Sequence, residues 1–334
     1  MPTMRDVARL ANVSAKTVSR VFNDDPHVLP ETRERVEAAL RELNYVPNTL
    51  ARNFRTGRAP AIGIAVPSLA DPFFAAIIAA VDEEAKDRDL ATVVTSLGRD
   101  PARESELVEG LLRSQLSALI VAPISTDHRY LEQWVRRIPT VFVDRAPVGV
   151  VADSFTGDDA GGAALATAHL LGHGARRIAF LGDDVRTPTT AGRLVGYRQA
   201  LADAGIEFDE SLVAIAATED ADAFVAVERV LREADPTAIF STNARTTIAL
   251  MPAIKASGLP FVGFGDFPMA DQLTPAVTVI DQDPTALGQL AARRVFDRID
   301  HPTRRLKRRT VLPVHLVGRE SCQLNPPAVP ALSA

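Results

Sequence analysis

The chain has 334 residues, is 46% hydrophobic and carries a formal net charge of −5, which gives room for a small domain plus one large or two medium ones with sizeable cores. Its single cysteine, Cys322, excludes an intramolecular disulfide and argues against a thiolate metal site, and its six histidines show no HxH or HExxH spacing. The charge is uneven: residues 1–58 hold ten Lys/Arg against seven Asp/Glu, and the remainder twenty-seven against thirty-five, so a basic module rides on an acidic body, as expected where the module alone contacts phosphates.

Thr3 followed three residues later by Asp6 predicts a capped helix start. Val7, Ala8, Leu10 and Ala11 give that helix an apolar stripe. Asn12-Val13 breaks the pattern and Ser14 caps a second short helix, with Val18 and Val21 facing inward and Ala15, Lys16, Thr17, Ser19 and Arg20 outward. Two short helices joined by a tight turn form a helix-turn-helix, whose second helix can enter a major groove. Pro30 opens a third helix with Val36, Ala39, Leu40 and Leu43 on one face. Val46-Pro47 forces extended backbone, Asn48 caps one more short helix from Thr49 to about Arg55, and Gly57 ends it.

Beyond Pro60 the pattern becomes alternating strands and helices. Strands are expected at 61–68, 91–96, 118–123 and 139–144, with helices near 73–88, 103–115 and 127–137. From 160 the pattern restarts. Helices at 161–172, 191–204, 221–233 and 245–257 alternate with strands at 177–183, 212–217, 237–242 and 260–266. Strands separated by helices of this length imply parallel sheets with right-handed crossovers, here in two similar halves, each close to the size of a doubly wound domain. The strand 278–281, the helix 284–299 and the strand 309–317 read as returns between the halves. The tail after 323 reads as disordered.

The stretch from Thr3 to Gly57 resembles the DNA-binding headpiece and hinge helix of the LacI/GalR family of transcriptional repressors. The matching residues are Asp6-Val7-Ala8, Val13-Ser14, Thr17-Val18-Ser19-Arg20-Val21, Asn23, Glu31-Thr32-Arg33, Tyr45-x-Pro47-Asn48, Leu50-Ala51-Arg52 and Arg55-Thr56-Gly57. The body matches the family's effector domain at DPFFAAI (71–77), VFVDR (141–145), residues 158–182, AGRLVGY (191–197), VGFGDF (262–267), LTPAVTVIDQ (273–282) and GRESC (318–322). The fold class implied is α plus α/β. A three-helix helix-turn-helix domain (1–47) and a hinge helix with linker (48–58) precede two doubly wound, periplasmic-binding-protein-like lobes (59–322). The N-lobe takes about 60–158 plus 283–312 and the C-lobe about 159–282 plus 313–322, and the tail is 323–334.

The resemblance implies that Ala15, Lys16 and Arg20 read bases, Arg20 being suited to grip guanine O6 and N7. Ser14, Thr17, Ser19 and Asn23 suit phosphates. In the hinge it implies minor-groove contact through Leu50, Ala51, Arg52 and Phe54. Phe54 stands where the family usually has a wedging Leu, and packing between paired hinge helices is the other reading of it. A helix this short is marginal alone. The same likeness implies a sugar-like effector held at strand carboxyl ends by Asp71, Phe73, Phe74, Arg145, Arg193, Asn243 and Asp266, with core packing as the alternative for one of the two phenylalanines. It also implies a pseudo-palindromic operator on double-stranded DNA and, for want of C-terminal leucine heptads, a homodimer.

Two departures bear on the ligand. Gly265 and Ala244 stand where the family often has Asp, while Arg145, Arg186, Arg193 and Arg245 are available. Loss of carboxylates beside guanidinium groups favours a phosphorylated sugar or sugar acid, and a neutral sugar remains the alternative. A sugar-binding protein without DNA regulation would fit the body alone. An enzyme is not expected. There is no GxGxxG after the first strand, no P-loop and no GxSxG, and nothing sets a nucleophile beside Asp144, Asp153, Asp158 and Asp159. His169 and His173, four apart, could share a metal, but the helix-end reading of LLGHG is preferred. No cofactor, metal ligand or catalytic residue is assigned. The basic run 304–309 reads as a solvated loop. No charged-then-apolar leader and no apolar run of membrane length occur, so a cytoplasmic location and no membrane partner are expected.

Overall fold

A computed structural model describes residues 3–22, 25–43, 61–114, 116–215 and 221–323. The chain divides into two compact units, Met1–Ala59 and Pro60–Ala334. The expected hinge helix with Leu50, Ala51, Arg52 and Phe54, the candidate Asn23, and the tail from 324 lie outside the described residues. Among the described residues no helix is long and apolar enough to cross a membrane.

Among its described residues the first unit has three helices. Helix α1 (Met4–Leu10) begins in a capping box. The Thr3 hydroxyl accepts from the Asp6 amide at 3.3 Å while the Asp6 carboxylate accepts from the Thr3 amide at 2.9 Å. It ends in a Schellman turn, with Asn12 left-handed (φ 51°) and the Val13 amide donating to the Ala8 carbonyl. Ser14 Oγ then accepts from the Thr17 amide at 3.0 Å and caps α2 (Ala15–Phe22). Helix α3 (Pro30–Glu42) starts on proline, and its Arg33 donates to the Val21 and Asp25 carbonyls. Val7, Ala8, Ala11, Val18, Val21, Val36 and Ala39 form the core. Leu10, expected in the apolar stripe, is exposed instead. At 100° per residue, positions 7, 8 and 11 share a face, and position 10 falls about 110° from its centre.

The second unit holds two six-stranded sheets. The first contains β1 (Ala61–Val66), β2 (Ala91–Ser96), β3 (Ala118–Val121), β4 (Thr140–Val143), β5 (Asp153–Gly157) and β11 (Arg309–Leu312), in the order β11-β5-β4-β3-β1-β2. The second contains β6 (Ile178–Gly182), β7 (Val213–Ile215), β8 (Ala238–Ser241), β9 (Phe261–Phe264), β10 (Thr278–Asp281) and β12 (His315–Val317), in the order β12-β10-β9-β8-β6-β7. All pairings are parallel except β10 with β12. The central orders 2-1-3-4-5 and 7-6-8-9-10 are the same topology twice, each doubly wound with its switch point beside the first strand.

In the first lobe, α4 (Pro72–Lys86) and α11 (Pro284–Asp300) cover one face, and α5 (Glu104–Leu112) and the short α6 (Glu132–Val135) lie on the other. In the second, α7 (Asp159–Gly172) and α8 (Pro188–Asp203) oppose α9 (Ala221–Glu233) and α10 (Ala244–Ser257). Two helices pack closely where glycine permits. A Cβ on Gly196 of α8 would stand 2.0 Å from the Ala160 carbonyl oxygen, and one on Gly288 of α11 would stand 2.6 Å from that of Ile77.

The chain crosses between lobes three times, at β5 to α7, at β10 to α11, and between β11 and β12. Three expectations need correction. The single strand 309–317 is two strands in different sheets, because Pro313 lacks the amide that would continue a ladder. The helix 127–137 is a 3₁₀ turn (Arg129–Leu131) leading into the four-residue α6. Strand β5 was not expected, since DSFTG lacks a β-branched run. It is a central strand whose Asp153 is held by Arg298 at 2.7 and 3.0 Å and by Arg294 at 3.4 Å.

Candidate functional site

On the first unit, α2 separates two kinds of side chain. Val18 and Val21 are buried, while Ala15, Lys16 and Arg20 are exposed and Thr17 and Ser19 half-buried. Ser14 and Thr17 bond to each other, hydroxyl to hydroxyl, at 2.8 Å. Arg20 Nε donates to Asp25 at 2.8 Å. The hydrogen bond raises the guanidinium's affinity for its proton, and Arg20 with the His27 amide and ring holds the Asp25 carboxyl well below the usual range. Arg20 therefore projects from the exposed edge of α2 with its Nε held on Asp25.

On the second unit a cleft opens where strand carboxyl ends of both sheets meet, the position the doubly wound topology dictates. Of the seven candidate effector residues, Asp71, Phe73, Phe74, Arg145, Arg193 and Asn243 line it. Asp71 caps α4, accepting from the Phe73 amide at 3.0 Å. Phe73 and Phe74 meet edge to face, centroids 5.1 Å apart, and both belong to the core under α4 as well as to the cleft wall. Asn243 caps α10 through its oxygen, which accepts from the Thr246 amide at 2.7 Å. Asp266 is not part of the lining. Its carboxylate is clasped by Arg319 at 3.0 and 2.6 Å, and the same guanidinium reaches the Val277 carbonyl.

Each cleft arginine has its own carboxylate. Arg145 Nε stands 3.3 Å from Asp144, and its Nη1 donates to the Pro123 carbonyl at 2.6 Å. Arg193 Nε donates to Asp159 Oδ1 at 2.9 Å, with Nη2 2.8 Å from the same oxygen, its Nη1 donates to the Thr242 carbonyl, and the guanidinium lies 3.9 Å over the Phe264 ring. Arg245 Nη2 donates to Asp183 at 3.2 Å. Arg186, counted with these in the sequence, is instead exposed on the surface, paired with Asp184.

Burial raises the Asp71, Asp144 and Asp159 carboxyls. That of Asp159 is pushed up to about 6 against the pull of Arg193, with the Asp144 charge adding to the rise. Burial also opposes ionisation of Asp183, but the Thr190 hydroxyl, the Asp184 amide and the guanidinium groups of Arg245 and Arg193 outweigh it and hold this carboxyl low.

Sequence reasoning missed Asp183, Thr189, Thr190 and Gln282 in the lining. Asp183 directly follows β6 and carries the positional signal of a strand carboxyl end. Gln282 sits in the β10–α11 crossover, which only the lobe pairing brings to the cleft. Gly265 has a left-handed backbone (φ 84°), and its amide donates to the Ile280 carbonyl at 2.7 Å. A residue with a Cβ is strained there, which gives Gly265 a conformational reason independent of ligand charge.

Comparison with known proteins gives one consistent result. Residues 3–48 match the family described as bacterial regulatory proteins, lacI family, and residues 167–322 match a periplasmic binding protein-like domain. The chain is 31% identical to the ribose operon repressor of Escherichia coli K12 over 324 residues, covering 94% of this chain and 98% of that one. It is 33% identical to the HTH-type transcriptional regulator CelR of Thermobifida fusca, covering 96% and 98%. Among solved structures it resembles a lac repressor dimer bound to operator and the anti-inducer ONPF, with TM-score 0.81, 30% identity and coverage of 96% and 99%. A CelR–cellobiose complex matches with TM-score 0.69, 32% identity and coverage of 96% and 100%.

Proposed function

This chain belongs to the LacI family of bacterial regulatory proteins, and from that premise we propose that it is a dimeric, cytoplasmic transcriptional repressor of carbohydrate-metabolism genes, controlled by a sugar-like effector. Each first unit takes one half of a pseudo-palindromic operator. Ala15, Lys16 and Arg20 read base edges, Ser14, Thr17, Ser19 and Asn23 hold phosphates, and Leu50, Ala51, Arg52 and Phe54 of the hinge enter the minor groove. The domain limits that accompany this reading are 1–47, 48–58, 59–322 and 323–334, with the lobes divided near 158, 282 and 312.

The observation that carries the reading is the division of α2 into a buried valine edge and an exposed Ala15/Lys16/Arg20 edge, on a chain that also has a polar, aromatic-walled cleft at its strand carboxyl ends. In the cleft, Asp71, Phe73, Phe74, Arg145, Arg193 and Asn243 bind the effector, while Asp266 acts through Arg319 on the frame. The pairing of Arg145, Arg193 and Arg245 with Asp144, Asp159 and Asp183 favours a neutral polyhydroxylated ligand over an anion. Paired guanidinium and carboxylate groups offer fixed donors and acceptors to hydroxyls and little net charge. Effector binding shifts lobe closure and changes operator affinity by a coupling free energy of about 1–3 kcal/mol.

The test is a gel shift on DNA flanking the chain's own gene, with scrambled duplex as competitor and a panel of neutral and anionic sugars added. Selective retention of a palindromic duplex, altered by a sugar, supports the proposal. Equal affinity for scrambled duplex at moderate salt overturns it.

A further inference from the structure

At the C-terminal end of α7, His169 in its last turn and His173, the residue that caps it, stand four residues apart, where the last described segment of the chain passes. Their rings lie 4.7 Å apart at 75°. Cys322, the sole cysteine, is buried with its Sγ 3.1 Å from His169 Nε2, a meeting of residues 153 positions apart. One ligating atom from each of the three lies within 4.8 Å of the others. We propose that His169, His173 and Cys322 form a binding site for one zinc-class divalent cation, with three protein ligands and a fourth position open to solvent.

The donor set selects the ion. Two imidazoles and a thiolate suit zinc and its soft or borderline neighbours, whereas calcium and magnesium require oxygen. Metal–ligand distances of about 2.0–2.3 Å place tetrahedral ligands roughly 3.3–3.6 Å apart, so side-chain rotation must open the 3.1 Å contact of His169 with Cys322 slightly and bring atoms now up to 4.8 Å apart closer together. Two histidines at i and i+4 on one helix face are already spaced for a shared ion. The exposed His173 gives the entry path, and His169 is half-buried between it and the sulfur.

The sulfur also has outer partners. The Thr278 hydroxyl donates toward it at 3.4 Å, and the thiol hydrogen now points to the Arg319 carbonyl at 3.7 Å. Binding releases that proton to solvent, and the sulfur lone pair goes to the metal, so no oxidant or reductant takes part.

Occupancy would fasten the segment 319–322 to α7. That segment is already tied to the sheet through the Ser321 hydroxyl, which donates to the Phe261 carbonyl at 2.7 Å and accepts from the Thr278 amide at 2.8 Å. The cation therefore adds a cross-link between a helix and the sheet edge it covers.

The experiment uses the full chain, stripped with chelator and titrated with Co²⁺ as the spectroscopic probe, then with Zn²⁺. One equivalent of Co²⁺ is expected to give the intense visible bands of tetrahedral coordination and a near-ultraviolet thiolate charge-transfer band. Zn²⁺ should displace both and slow alkylation of Cys322 by about tenfold or more. Cys322→Ser should lose the charge-transfer band. His173→Gln, at an exposed position that does not disturb the core, should weaken binding by about tenfold or more, while His315→Gln, exposed elsewhere, should bind as the parent does. A pale octahedral spectrum without charge transfer, or a His173→Gln variant that binds as tightly as the parent, overturns the site and leaves His169 and Cys322 as an ordinary hydrogen-bonded pair.

Discussion

Arg193 pairs with Asp159 through Nε and Nη2 at one carboxylate oxygen and sets its guanidinium over Phe264, so one side chain joins the cleft wall to the start of α7 and to the sheet beneath. Removing it leaves Asp159 buried without its partner. Arg193→Ala is expected to lower unfolding free energy by about 3 kcal/mol and to abolish the effector response. Arg193→Lys keeps the charge without the planar fork and is expected to lose effector affinity by about 10- to 100-fold while folding normally. Chemical denaturation and calorimetry separate the two effects.

The raised Asp159 carboxyl has a readable pH consequence. Above about 6 it is ionised and cancels Arg193, and as pH falls through that value it takes a proton and the cleft gains one positive charge. A sugar acid that stays ionised should therefore bind more tightly at pH 5.5 than at pH 7.5, whereas a neutral sugar should change little. Asp159→Asn should bind the acid equally at both values. Calorimetry on both ligands at the two pH values checks the sign. An unchanged ratio in the parent protein would remove Asp159 as the titrating group.

The ion pair from Arg20 to Asp25 predicts a specificity effect. Arg20→Ala should cost about 1–3 kcal/mol at a single half-site position and relax the preference there, with the salt dependence of binding little altered. Asp25→Ala should release Arg20 from its pose, raising affinity for unrelated duplex while narrowing the gap to the operator. Lys16→Ala should reduce binding to every sequence if it meets phosphate, or at one position if it meets a base. Competition binding with half-site variants at two salt concentrations distinguishes these outcomes.

Gly196 is where α8 lies against the Ala160 carbonyl. Even one methyl group there must push α7 and α8 apart. Gly196→Ala is expected to destabilise by about 1–3 kcal/mol, in spite of alanine's better helix propensity. The denaturation midpoint measures it. A neutral or stabilising result would mean that the two helices slide freely.

Much of this architecture was legible because it rests on local periodicity. The inward valines at 7, 18, 21 and 36 follow a helical repeat, and the apolar runs of β1, β3, β4, β6, β8 and β9 are bounded by turns and helices. Strand β5 was not legible, since its polar Asp153 is made tolerable only by Arg294 and Arg298 from a helix more than a hundred residues later. The cleft lining was found largely by its place after strands. Its charge balance was not, because Arg193 meets Asp159 and Arg245 meets Asp183 only after the helices are packed. The sequence displays the guanidinium groups but not the carboxylates that meet them.

Three passages of chain link the lobes at β5–α7, β10–α11 and β11–β12. A body hung from one cord can swivel, but one held by three side by side can only fold. Ligand closing the cleft is thereby steered into a single bending mode, and little of its binding energy is dissipated in twist or slippage.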